Sequence, residues 1–148
     1  MNAALVHTEL SMLVTALWFE IDHGGGSAAS GFFTADAELT FSRRTFRGTD
    51  EIDGVYRDRA ARGPRVSRHV MANFHVLRHE AGVVDAVSVL VLHAHDGEPP
   101  VPTTAPVMVA DVLDRFVRAG EPGGWLIASR RIESRFLAPG AVLAVPTE

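Results

Sequence analysis

Apolar residues recur every three to four positions near the start of the chain, between Thr8 and Asp22. They are Leu10, Leu13, Val14, Leu17, Trp18 and Ile21. This period predicts an amphipathic helix that buries one face. Thr8 is the expected N-cap, and the glycine run at 24–26 supplies the left-handed conformation that ends many helices. Residues 27–33 are expected to add one or two helical turns.

A second helix is predicted to begin near residue 48, after short strands at 38–41 and 45–47. Its apolar stripe consists of Ile52, Val55, Tyr56 and Ala60. Thr49 is the expected N-cap, because a threonine oxygen can accept a hydrogen bond from a free N–H group of the first turn. The Gly63-Pro64 pair is expected to end this helix.

The period changes to two beyond residue 64, which predicts strands rather than helices. Four long strands are expected, at 65–78, 83–95, 105–118 and 124–136. Because the helices come first and the strands follow as a run, the pattern predicts an α+β fold. Residues 1–148 are expected to form a single domain. In it, the N-terminal helices would pack on a strongly curved, mostly antiparallel sheet and leave a cone-shaped pocket.

The segment SRHVMANFHV, at 67–76, raises a question about the first of these strands. Its even positions are apolar, whereas its odd positions include His69, Asn73 and His75. In a regular strand these polar side chains share one face, which either meets water or lines a pocket. A β-bulge between His69 and Asn73 would exchange the two faces beyond it.

Composition and charge restrict the classes of function. The chain has 148 residues, of which 47% are hydrophobic and 22% are charged, with a formal net charge of −4 and no cysteine. No basic stripe is present, so a nucleic-acid partner is not expected, and the lack of cysteine excludes disulfides and thiolate metal sites. The sequence shows no signal peptide and no apolar run of about 20 residues, so we expect a cytoplasmic protein without a membrane partner.

Several short motifs follow one another in an order that is typical of a known family. They are Ile21-Asp22 at the end of the first helix, GFFTADA at 31–37, FRGTDEI at 46–52, Ser67-Arg68-His69, and GWLI at 124–127 followed by Arg130-Arg131. From about Leu10 to Phe136 the chain resembles the SnoaL-like branch of the nuclear transport factor 2-like superfamily. That superfamily includes polyketide cyclases, scytalone dehydratase, ketosteroid isomerase and the small subunits of ring-hydroxylating dioxygenases. The resemblance implies a cone-shaped α+β barrel.

The resemblance to the dehydratase-like members also implies an acid–base site. It places Asp22 and His69 together inside the cone, with a second histidine on the next strand. His93 is the closest match to that histidine, and His95 shares its face of the strand. A carboxylate that accepts the N–H of an imidazole fixes its tautomer, so the other ring nitrogen can move a proton near neutral pH. Asp22, His69 and His93 are therefore the predicted catalytic residues, and no cofactor is predicted.

The predicted substrate-binding residues combine aromatic walls with a few polar groups. They are Trp18, Phe33, Phe41, Tyr56, Met71, Asn73 and Asp111. Asp114 follows Asp111 by three positions, so it falls on the opposite face of its strand and is expected at the surface. A steroid-isomerase site is not predicted, because Phe41 occupies the place of the aspartate base of the isomerases.

Two hypotheses about function follow from the sequence. The first is a small cofactor-independent enzyme that dehydrates, cyclises or isomerises an apolar, oxygenated molecule of polyketide or aromatic type. The second is a non-catalytic ligand-binding or assembly module that resembles a dioxygenase small subunit. A homodimer or other homo-oligomer through the sheet face is expected in both cases. Zinc bound by His69, His93 and His95 is the weaker alternative, and no metal site is predicted.

Overall fold

The chain folds as two helices packed on one six-stranded sheet. A computed structural model describes residues 2–103, 105–119, 124–143 and 145. In chain order the elements are α1 (Ala3–Gly24), a short 3-10 helix (Ala29–Phe32), β1 (Phe33–Phe41), β2 (Arg44–Arg47), α2 (Gly48–Ala61), β3 (Arg65–Glu80), β4 (Val83–Asp96), β5 (Met108–Ala119) and β6 (Gly124–Leu137).

The strands form a mixed sheet in the order β2-β1-β6-β5-β4-β3. All neighbouring pairs are antiparallel except β1 and β6, which are parallel. The predicted α+β class and the mostly antiparallel sheet are therefore confirmed. The four long strands also form where the period of two predicted them, to within a few residues at their ends.

The two helices contact the sheet at different places. α1 packs against β3, whereas α2 packs against β1. Apolar side chains from both helices and from the inner sheet face form one buried core. Its largest fully buried apolar members include Leu10, Leu17, Leu39, Ile52, Leu90, Phe116 and Ile127. The candidate site lies beside this core, near the C-terminal end of α1.

α1 begins earlier than its apolar stripe suggested. The side chain of Asn2 accepts hydrogen bonds from the backbone N–H groups of Ala4 at 2.8 Å and Leu5 at 3.2 Å. Thr8 lies inside the helix and donates to the Ala4 carbonyl at 2.9 Å, so the prediction that Thr8 caps the helix is wrong. The glycine stop is confirmed, since Gly25 has a φ of 69° and ends the helix in the left-handed conformation.

The start of α2 differs from the prediction in a similar way. Its N-cap is Arg47, whose backbone N–H donates to the Glu51 carboxylate at 2.5 Å. Thr49 lies within the first turn and is not the cap. The acidic side chain in the first turn therefore supplies the acceptor that a threonine cap was expected to provide.

α1 also corrects the expectation that no apolar segment is long enough to cross a bilayer. With 22 residues and a window of mean hydropathy 1.3, it could span a membrane by length and composition alone. In the fold, however, Leu10, Leu17 and Ile21 on one side of α1 are buried against the protein interior. α1 therefore serves as a core helix of this domain.

A β-bulge in β3 answers the question raised by SRHVMANFHV. The pairing of β3 with β4 shifts between Ala72 and His75, and Asn73 has a φ of 52°. Before the bulge, Ser67 is buried and His69 faces inward, whereas beyond it Phe74 packs on the core and His75 is exposed. The strand thus presents polar side chains to the interior only at its beginning.

Candidate active site

Asp22 and His69 meet, as the resemblance implied. Asp22 lies in the last turn of α1 and His69 near the start of β3. Nδ1 of His69 lies 2.6 Å from Oδ1 of Asp22, and the backbone N–H of His69 donates to Oδ2 of Asp22 at 2.8 Å. The two side chains are only 6% and 11% exposed for Asp22 and His69 respectively, so the pair is shielded from bulk water.

Two further residues extend this pair into a hydrogen-bonded chain. The Ser67 hydroxyl donates to Oδ1 of Asp22 at 2.8 Å. Nη2 of Arg59 in turn donates to Oγ of Ser67 at 2.8 Å. The sequence analysis did not identify Ser67 or Arg59. Ser67 lies two positions before His69 and so shares its strand face, and Arg59 continues the buried stripe of α2 one turn beyond Tyr56.

The pKa values of the pair favour an ionised Asp22 and a neutral His69. Burial by itself raises the pKa of the Asp22 carboxyl, but the hydrogen bonds and charge of His69, together with Ser67, hold it below its usual range. Burial lowers the pKa of the His69 imidazole, and the nearby Arg59 and Arg130 add to this effect against the attraction of Asp22. Because an ionised carboxylate can only accept, Nδ1 of His69 carries the proton.

The second ring nitrogen of His69 is free to act as a base. Nε2 makes no hydrogen bond to any residue that the structure describes, and His69 lines an internal cavity. With Nδ1 protonated, Nε2 presents a lone pair. The arrangement can therefore accept a proton from a bound molecule while Asp22 stabilises the imidazolium that forms.

Trp18 fixes the orientation of the His69 ring. The two rings are stacked, with centroids 4.4 Å apart and an interplanar angle of 4°. The Arg130 guanidinium lies 4.6 Å from the centroid of the same indole. Arg130 donates to both oxygens of Asp114 at 2.7 and 2.8 Å, and both side chains are 1% exposed. The prediction that Asp114 lies at the surface is therefore wrong.

The cavity beside His69 is small and mostly apolar. Its volume is about 60 Å³, which leaves room for a few water molecules. Its walls are Trp18, Ile21, Phe41, Ser42, Tyr56, Arg59, His69, Leu90, Leu92, Met108, Ile132, Ser134, Leu143 and Val145. Leu143 and Val145 come from the segment after β6, so a ligand with aromatic rings requires these two side chains to move.

Several predicted site residues contribute to this cavity or lie close to it. Trp18, Phe41 and Tyr56 line it together with His69. Phe33 is buried in the core and does not reach the cavity. Met71 lies on a shallow groove at the other side of the Asp22–His69 pair, together with Thr15, Phe19 and His23.

Three other predicted residues lie on the wrong side of the sheet. His93 is exposed because its neighbour Leu92 takes the inward position on β4. Asp111 also points outward and accepts a hydrogen bond from Arg135 at 2.8 Å. Asn73 is exposed at the bulge. A strand alternates its side chains between the two faces, so the inward register of β4 and β5 excludes these positions from the cavity.

The zinc alternative has no geometric support. His95 is exposed, like His93, and its Nδ1 lies 2.6 Å from the Asp96 carbonyl oxygen, whereas His69 faces the interior. The three imidazoles therefore do not converge. Among the described residues, no group of three or more histidine or acidic side chains could hold a metal ion.

Comparison with protein families gives one match over most of the chain. A family model described as "SnoaL-like domain" matches residues 3–131. No curated protein matches the chain in sequence.

Solved structures share the fold at low sequence identity. ActVI-ORFA from Streptomyces coelicolor has a TM-score of 0.78 at 19% identity, over 92% of this chain and 99% of that protein. Aln2 from another Streptomyces species has a TM-score of 0.75 at 19% identity, over 90% and 93%. A protein from Novosphingobium aromaticivorans, described as the β subunit of a putative aromatic-ring-hydroxylating dioxygenase, has a TM-score of 0.77 at 13% identity, over 92% and 93%. At these identities the likeness concerns the fold.

Proposed function

The chain belongs to the SnoaL-like domain family, and from this premise we propose that it is a small cofactor-independent enzyme of dehydratase, cyclase or isomerase type. Its substrate would be an apolar, oxygenated molecule of polyketide or aromatic type. The observation that carries this proposal is the Asp22–His69 pair at 2.6 Å, with a free Nε2 at the wall of an apolar cavity. Such a pair is the usual arrangement for moving a proton near neutral pH.

Dehydration of a β-hydroxyketone illustrates the chemistry. Nε2 of His69 removes a proton from the carbon next to the carbonyl, and Asp22 stabilises the resulting imidazolium. The β-hydroxyl group then leaves with that proton as water, the C=C bond forms, and His69 returns to its neutral state. One imidazole thus serves first as base and then as acid.

A simple probe tests this proposal. A β-hydroxy-tetralone loses water to give α-naphthol, whose fluorescence can be followed continuously. We expect the rate to rise in proportion to protein concentration. If the tetralone binds, as judged by Trp18 fluorescence, but no α-naphthol forms above the background rate, the enzyme hypothesis loses its support and the non-catalytic alternative gains it.

The pH dependence of this reaction follows from the state of His69. Because the neutral imidazole is the base and its pKa is lowered in the fold, kcat/KM should be maintained below pH 6.5, the usual His pKa, and fall only at more acidic pH. Rates measured between about pH 4 and pH 8 in buffers of constant ionic strength would show this. An acidic limb centred above pH 7 would contradict the assignment of His69 as a base of lowered pKa.

The alternative is a ligand-binding or assembly module, and the outer sheet face favours some form of assembly. On β4 the outward positions Val87, Val89 and Val91 are apolar, and Val70 on β3 pairs with Val91. An antiparallel sheet with a solvated outer face normally carries polar residues there. We propose that this face joins two copies of the chain, whereas co-purification with a stable large subunit would favour the dioxygenase-like module.

The oligomer proposal predicts a mass near twice the 16.0 kDa of one chain. Val89→Glu places a charge in the centre of the outer face and is expected to give a monomer. Light scattering coupled to size-exclusion chromatography measures both masses. Met12→Glu, at an exposed position of α1, is the matched control and should leave the dimer intact. A wild-type protein that elutes as a monomer at all concentrations would rule out this interface.

A further inference from the structure

We propose that the ligand of the cavity carries an anionic oxygen, a carboxylate or an ionised phenol, and that this oxygen binds to the N–H groups of Arg59. The inference rests on the proposed function, because it concerns the ligand of the same cavity. It goes further by assigning a charge and an anchor point to that ligand.

Arg59 is a buried cation without a carboxylate partner. It is 8% exposed and lines the cavity. Within the described part of the chain it forms no ion pair, and its one hydrogen bond runs from Nη2 to Oγ of Ser67 at 2.8 Å. A guanidinium has five N–H donors, and a buried charge is costly unless it is paired. The remaining donors of Arg59 are therefore available to an oxygen in the cavity.

The other deeply buried arginine shows what a purely structural role looks like in this fold. Arg130 binds both oxygens of Asp114, at 2.7 and 2.8 Å, and neither side chain needs a further partner. Arg59 has no such carboxylate. The nearest acidic group is Asp22, but its oxygens accept from His69 and Ser67, and the Ser67 hydroxyl lies between Asp22 and Arg59. Arg59 thus has the position of a ligand-binding group.

The charges around Arg59 also favour an anion. Burial lowers the pKa of the Arg59 guanidinium, and repulsion from Arg65 and Arg62 lowers it further against the attraction of Asp22. Three arginines therefore lie close together at this end of the cavity, although the chain as a whole has a net charge of −4. An anionic oxygen beside Arg59 offsets both the lost hydration and the repulsion.

Two neutral donors on the cavity wall complement this cation. Burial raises the pKa of the Tyr56 phenol to about 12, so Tyr56 keeps its proton at neutral pH. Nε1 of Trp18 is buried and has no hydrogen-bond partner within the described residues. Both residues line the cavity. With Arg59 they make the polar part of the wall rich in donors, which suits a ligand rich in acceptor oxygens.

A pair of matched probes tests the inference. β-Naphthoate and β-naphthamide have nearly the same shape, but only the first is an anion at neutral pH. Calorimetric titration of the wild-type protein should show tighter binding of the naphthoate by about tenfold or more, as expected for charge-assisted hydrogen bonds in a shielded site. Arg59→Met should remove this preference while the affinity for the naphthamide changes little.

Two controls keep the test specific. Arg57→Met removes a cation from an exposed position of the same helix and should keep the preference. Arg59→Lys should keep part of it even if Arg59→Met folds poorly. Equal affinities of the wild-type protein for both probes, or a preference that survives Arg59→Met, would overturn the inference and leave the proposed function standing. Failure of both probes to bind would count against the apolar ligand site itself and thus against the proposed function.

Discussion

Replacement of His69 by alanine is expected to lower kcat for the β-hydroxy-tetralone by about 10²- to 10⁴-fold, the usual contribution of a positioned general acid–base. The variant keeps the apolar walls of the cavity, so binding of the probe should change far less than turnover. His69→Gln is a second test, because its amide can still donate to Asp22 but cannot take a proton. Initial rates from α-naphthol fluorescence, with circular dichroism as a check on folding, measure the effect.

His93→Ala is the matched control for this experiment. The sequence suggested His93 as a catalytic residue, but the structure places it on the outer face of β4. The variant should therefore turn over the probe at the wild-type rate. A loss in His93→Ala comparable to that in His69→Ala, or full activity in His69→Gln, would show that the proton is moved by a different group.

Replacement of Asp114 by alanine is expected to have the largest effect on stability. It leaves the Arg130 guanidinium buried without a counter-charge, since both side chains are 1% exposed and bind each other through two hydrogen bonds. Breaking a buried ion pair in this way costs about 3–5 kcal/mol of unfolding free energy. Urea unfolding followed by tryptophan fluorescence measures this loss, which should appear as a lower midpoint.

Asp111→Ala is the control for the charge change on the same strand. Asp111 pairs with Arg135, whose side chain is 54% exposed. Removal of such an exposed pair is expected to change the free energy of unfolding by less than about 1 kcal/mol. If Asp114→Ala were as stable as Asp111→Ala, the Arg130–Asp114 pair would not be a structural element. The position of Trp18 and His69 would then need another support.

Local patterns in the sequence determined most of the fold. The helical period of Leu10, Leu17 and Ile21 and the period of two beyond residue 64 each depend on burial of one face, so they report secondary structure directly. The order of helices and strands then predicted the α+β class. The resemblance brought Asp22 and His69 together, because both residues are tied to the ends of elements whose relative position the family fold fixes.

Tertiary structure alone decided which other side chains meet this pair. The bulge at Asn73 and the inward register of Leu92 turned Asn73 and His93 to the outside, and a shift of one residue is enough to do this. Conversely, Arg59 reaches Ser67 from α2, and Asp114 on β5 reaches Arg130 on β6. Such pairings depend on strand register and helix docking, which are set by packing across the whole core. The pattern along the chain therefore does not contain them.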